Sequence, residues 1–109
     1  MAQVQNLYID QGTTFSLSIA VNDQNGDLKD LSDYTAAAQM RKSYYTNTAI
    51  DFTADVTLPE EGEVTISLTA DETTALKAGR YVYDIEISSD LETVRVLEGI
   101  VVINPEVTK

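Results

Sequence analysis

The sequence predicts an all-β protein, an immunoglobulin-like antiparallel β-sandwich of about seven to eight strands with one short helical turn. Three observations predict it. Apolar and polar residues alternate over short segments separated by turn residues, the period of strands with one face on a core and one toward solvent. The clearest block spans residues 62–102, where two alternating segments flank a single helical turn and lead into a third, longer one. The chain also has 109 residues, enough for one modest core and for a single domain over residues 1–109 with a short C-terminal tail. A small barrel is the competing architecture.

Each element follows from local pattern. Residues 4–10 read as an edge strand with Leu7 and Ile9 inward, closed by the turn Gln11-Gly12. In residues 14–21, Phe15, Leu17, Ile19 and Val21 point one way and Ser16, Ser18 and Ala20 the other. Residues 22–27 form a turn, because Asn25-Gly26 supplies the positive φ that tight turns need. Residues 28–34, with Leu28, Leu31 and Tyr34 among aspartates, are too irregular for a strand and read as a packed connection. Alternation resumes over residues 35–41 through Ala36, Ala38 and Met40. A polar loop covers residues 42–47; short strands are expected around residues 49–53 and 55–58, with a turn at 59–62.

Val64, Ile66 and Leu68 then alternate. Residues 71–78 read as the helical turn, closed by Gly79, and Tyr81, Tyr83, Ile85 and Ile87 form the next strand. Tyr81 or Tyr83 is placed to act as a tyrosine corner, its hydroxyl bonding back to nearby backbone; a plain half-buried strand tyrosine is the other reading. After a hairpin turn at residues 88–90 comes the last strand, residues 93–103. There Val94 and Val96 share one parity while Leu97, Val101 and Ile103 share the other. A bulge near residues 97–99 would reconcile them, since one extra residue reverses the facing of everything after it.

Composition narrows the function. The formal charge of −11 repels phosphate backbones and anionic headgroups, so neither nucleic acid nor a membrane surface is an expected partner. The chain contains no cysteine and no histidine. Disulfides, thiolate nucleophiles and imidazole-based triads are therefore impossible, and an enzyme is not expected. The absence of cysteine fits assembly in a reducing cytoplasm, and no leader or spanning segment is expected. No cofactor is expected either. Acid–base chemistry would fall to Asp51, Asp55, Glu60, Glu61 and Glu63, whose better reading is solvated surface charge.

Two groups remain as candidate sites. Asp23, Asn25 and Asp27 alternate along a loop as calcium ligands do, but Gly26 comes too early and Tyr34 stands where a helix-loop-helix site needs glutamate. A turn whose aspartates and asparagine serve the backbone is the competing account. Arg41 and Lys42 form a small basic island beside Tyr44 and Tyr45, residue types enriched at protein interfaces. Val107, in the tail at residues 104–109, is a further interface candidate.

The segments Gln11-Gly12-Thr13-Thr14-Phe15, Asp30-Leu31-Ser32-Asp33-Tyr34-Thr35-Ala36, Ala78-Gly79-Arg80-Tyr81-Val82-Tyr83-Asp84 and Leu97-Glu98-Gly99, followed by Pro105-Glu106-Val107-Thr108, occur in this order along the chain. The chain in this respect resembles the small β-sandwich virion proteins of tailed bacteriophages, including the collar protein that anchors long tail fibres, and more distantly the N-terminal domain of baseplate upper proteins. The resemblance implies a structural subunit of a tail, neck or baseplate that forms a homo-oligomeric ring and helps attach tail fibres to other virion proteins. It implies location in the virion and no catalytic residues; Gly12, Tyr34, Gly79, Tyr81 and Gly99 would be determinants of the fold. A carbohydrate-binding module of the virion surface is the alternative.

Overall fold

The computed structural model describes residues 3–23, 25–43, 45–46 and 48–107. In chain order its strands are β1 (Gln3–Val4), β2 (Leu7–Asp10), β3 (Phe15–Ala20), β4 (Thr35–Arg41), β5 (Ile50–Asp51), β6 (Thr53–Leu58) and β7 (Glu63–Leu68). A short helix, α1 (Ala70–Thr74), follows, and then β8 (Gly79–Ser88) and β9 (Thr93–Asn104). They form two sheets. The larger has the order β1-β9-β8-β4-β5, with β2 also on β9, and the smaller has the order β3-β7-β6. This is the immunoglobulin-like sandwich that the alternation predicts.

Two details differ from the sequence expectation. The N-terminal strand is broken into β1 and β2, and both run parallel to β9, so the larger sheet is mixed where an antiparallel one was expected. The break occurs at Gln5 and Asn6, where the backbone presses against β9: a Cβ on Gly99 would sit 2.3 Å from the Gln5 carbonyl oxygen. Second, the two strands expected around residues 49–58 belong to different sheets. The chain crosses between sheets at Phe52, which is buried and whose amide donates to the Ala38 carbonyl at 3.0 Å. The break in the N-terminal strand brings the described strands to nine, above the seven to eight expected.

The bulge in the last strand is real and lies one residue earlier than expected. Leu97 pairs with Ile85 and Arg95 with Glu86, leaving Val96 as the extra residue. Val94, opposite Ile87, and Leu97 then share the core face despite their odd spacing. Helix α1 begins earlier than the turn read at residues 71–78 because Thr69 and Glu72 form a capping box: Thr69 Oγ1 accepts from the Glu72 amide at 3.1 Å, and Glu72 Oε1 from the Thr69 amide at 2.9 Å. Gly79 opens β8 and does not close the helix.

The inward residues Ile9, Met40, Val64, Ile66, Ile85, Ile87, Val101 and Ile103 are at most 1% exposed and come from both sheets. Each such aliphatic side chain contributes roughly 1.5–3 kcal/mol by leaving water. Leu31, also fully buried, anchors the connection between β3 and β4, as its irregular pattern predicts; its amide donates to the Pro59 carbonyl at 2.7 Å. Tyr81 is the tyrosine corner: its hydroxyl donates to the Lys77 carbonyl at 2.9 Å, tying the start of β8 to the loop after α1.

Candidate interaction surface

The outward face of the larger sheet is built by register. Opposite one another stand Arg80 and Val102, Val82 and Ile100, Asp84 and Glu98, and Glu86 and Arg95. On the far side of β8, Arg41 lies opposite Val82 and Gln39 opposite Asp84. On the far side of β9, Tyr8 lies opposite Val102. One half of the face is therefore apolar: a strip runs from Tyr8, 69% exposed, through Val102 and Ile100 to Val82, with Arg80 and Arg41 beside it. The other half is charged. Arg95 bridges Asp84 at 3.3 Å and Glu98 at 3.5 Å, and these exposed pairs contribute at most about 1 kcal/mol each.

Of the residues singled out in the sequence, Arg41 and Tyr45 come together. With Gln39, Val82, Asp84 and Glu86 they border a shallow concavity of about 480 Å³ on this face. The Arg41 guanidinium braces the loop that carries Tyr45, donating through Nη1 to the Thr46 carbonyl at 2.6 Å and through Nη2 to Gln39 Oε1 at 3.3 Å. That leaves the Tyr45 ring 95% exposed. Lys42 is turned elsewhere, its ammonium 4.4 Å from the centre of the Tyr81 ring in a cation–π contact. Tyr44 lies outside the described residues.

Val107 is 97% exposed, but the tail before it is held to its own domain. The Glu106 amide donates to Gln11 Oε1 at 2.9 Å, and the Gln11 amide to the Asn104 carbonyl at 3.0 Å. The calcium candidates serve the backbone: Asp23 Oδ1 accepts from the amides of Asn25 at 2.8 Å and Asp27 at 3.1 Å. Among the described residues, no three or more acidic, histidine or cysteine side chains are grouped to hold a metal ion. The carboxylates Asp51, Asp55, Glu60, Glu61 and Glu63 are strung along β5, β6, the 3-10 turn Pro59–Glu61 and β7. Two of them are engaged, Asp51 by the Gln39 amide group at 2.7 Å and Glu63 by the Thr57 hydroxyl at 2.7 Å.

Tyr8, Val82, Ile100 and Val102 were not singled out in the sequence. Their signal is the unbroken apolar run Ile100-Val101-Val102-Ile103, which cannot all face one core and so makes both faces of β9 apolar. At one end of the sandwich, a second set ties two loops together. The Tyr34 hydroxyl donates to Glu92, and Lys29 Nζ stands 3.3 Å from the same carboxylate and 5.2 Å from the centre of the Tyr34 ring. The Tyr34 hydrogen bond, then Lys29, hold the Glu92 carboxyl below the usual glutamate range.

No protein-family model matches the chain, and no curated protein matches it. Solved structures do. InlP of Listeria monocytogenes superimposes with a TM-score of 0.53 at 18% identity, over 94% of this chain; the chain spans 28% of the InlP chain. A structure from a study of multimeric cell-adhesive interactions of VGSC beta subunits matches with a TM-score of 0.49 at 10% identity, over 94% of this chain and 92% of that one. Murine CRIg matches with a TM-score of 0.39 at 8% identity, over 93% and 92% of the two chains. At 18% identity the likeness to InlP is one of fold alone.

Proposed function

We propose that this chain is a non-catalytic assembly module, a structural subunit of a tailed-bacteriophage virion that acts as a tail, neck or baseplate adaptor and helps attach fibres. The observation that carries the assembly reading is the strip Tyr8, Val102, Ile100 and Val82 with Arg80 and Arg41 at its side. An apolar centre with aromatic and arginine residues is the composition of protein contacts, and the arginines complement an otherwise acidic chain. The phage assignment is supported by the ordered sequence segments that resemble collar and baseplate proteins. Copies in a symmetric ring would turn weak individual contacts into strong attachment by avidity.

The test is a mass and shape measurement on purified protein and on virions. Light scattering and negative-stain microscopy should show rings for the native chain and loss of them for Val82→Glu with Ile100→Glu. Antibody labelling of phage particles should mark the tail, neck or baseplate. A native monomer with no labelling of particles would overturn the proposal.

One observation favours a second reading, a glycan-binding surface: the exposed Tyr45 ring beside Gln39, Asp84 and Glu86 offers a flat apolar face next to polar groups. Glycan-array binding lost in Tyr45→Ala would support it; no binding by the native chain would remove it.

A further inference from the structure

The smaller sheet ends at β3, and that edge is unlike the others. The outer edges of the larger sheet are the two-residue β5, which carries Asp51, and the interrupted β1 and β2, which carry Asp10. The far edge of the smaller sheet, β6, carries Asp55 and an irregularity between Val56 and Leu58. Short length, charge and bulges are the devices that keep sheet edges from pairing. Among the described strands of more than two residues, β3 alone has no ionisable side chain: its six residues are Phe-Ser-Leu-Ser-Ile-Ala, without proline and without a bulge against β7.

The backbone of that edge is available. The Val21 amide donates to the Gly62 carbonyl at 2.8 Å, so it points toward β7, and strand alternation turns Phe15, Leu17 and Ile19 the same way. The amides and carbonyls of Ser16, Ser18 and Ala20 then point outward. The 2.8 Å approach of Ser18 Oγ to Thr65 Oγ1 agrees, because facing side chains come closest in the pairs that exchange no backbone bonds. On the core side Phe15, Leu17 and Ile19 are only half-buried, and a groove of about 690 Å³ bordered by Ile19, Val21, Val94 and Val96 lies alongside. An added strand would cover these side chains.

We propose that the β3 edge pairs with the same edge of a second copy, antiparallel about a two-fold axis at Ser18, joining two three-stranded sheets into one. The self-complementary pattern of the strand selects this occupant, because its small outward residues and its half-buried apolar residues each face their own kind about Ser18, and charge does not oppose the approach along this edge. Two chains of net charge −11 repel each other over most approaches, and β3 is the edge strand along which they meet without opposing carboxylates. The register follows from which groups point outward: Ser18 faces Ser18 of the other copy, and Ser16 faces Ala20. Every such pair exchanges backbone hydrogen bonds, and Leu17 packs beside Ile19 on the core side. This contact uses the opposite sheet from the Tyr8 to Val82 strip and does not depend on the phage assignment.

Because the chain contains no cysteine, Ser18→Cys gives a protein with a single thiol. Facing Cα atoms of a hydrogen-bonded antiparallel pair lie about 5.5 Å apart, within disulfide reach. Under mild oxidation, Ser18→Cys should form a covalent dimer at least about tenfold faster than Asp90→Cys, a thiol on an exposed hairpin turn. In sedimentation, Val82→Glu with Ile100→Glu, which removes the ring contact, should show a concentration-dependent dimer that adding Ser18→Lys weakens at least about tenfold, with circular dichroism unchanged. Equal cross-linking rates for the two thiols, a Val82→Glu, Ile100→Glu chain that stays monomeric, or a dimer that survives Ser18→Lys would each overturn the proposal.

Discussion

The Tyr83 hydroxyl donates to the Gln5 backbone carbonyl at 2.5 Å, joining positions 78 residues apart. Tyr83 lies opposite Gly99 on β9, and the Gln5 carbonyl sits against that glycine, so the side chain of β8 reaches past β9 to hold the gap between β1 and β2. Tyr83→Phe leaves that carbonyl without its donor and should lower unfolding stability by about 1–2 kcal/mol. Denaturant titration would measure it, and hydrogen exchange at Leu7 and Ile9 should quicken more than at β4.

Burial pushes the Tyr83 hydroxyl up to about 12. The folded value lies above the unfolded one, so this tyrosine's contribution is complete below the unfolded value and is lost as pH rises toward about 12. Alkaline unfolding of the native chain should coincide with late phenolate absorbance, and Tyr83→Phe should remove that late component.

Gly99→Ala is expected to be far costlier than its size suggests. A Cβ there meets the Gln5 carbonyl oxygen at 2.3 Å and its carbon at 2.9 Å, both backbone atoms that cannot swing aside. The substitution should detach the N-terminal strands from β9 at a cost of about 2–4 kcal/mol. Amide exchange confined to β1 and β2 would register it; a stability equal to the native chain would contradict the close approach.

Tyr81→Phe removes the bond to the Lys77 carbonyl but keeps the ring that is buried and stacked under Lys42. The expected loss is about 1–2 kcal/mol. Ile85→Ala, at a fully buried site between the sheets, should cost more, about 2–5 kcal/mol, and thermal melts of the two variants would rank them.

Glu92 should titrate below the ordinary glutamate range. Because its folded value is depressed, its contribution is present above the ordinary glutamate range and is lost as pH falls through the folded value. An NMR titration of the side-chain carboxyls should find it below the ordinary glutamate range and, in Tyr34→Phe, moved upward, since the Tyr34 hydroxyl is the largest cause. No movement would assign the shift to Lys29.

Local pattern alone determined the sandwich, the buried parity of β2, β7 and β8, the helical turn, the corner tyrosine as one of two candidates and the need for a bulge. Each is set by a residue's own spacing: two-residue alternation assigns a face, and a parity reversal demands an extra residue. Only the tertiary structure decided that β1 and β2 run parallel to β9, that Phe52 crosses between sheets and that Val96 is the bulged residue. These depend on which strand lies beside which, information carried by long-range pairing and not by any local window. The interaction surfaces divide the same way. Exposed Tyr45 was visible as a loop aromatic, whereas the strip from Tyr8 to Val82 exists because register aligns four strand positions far apart in the chain, and the β3 edge is open because the N-terminal strands pair with β9 instead.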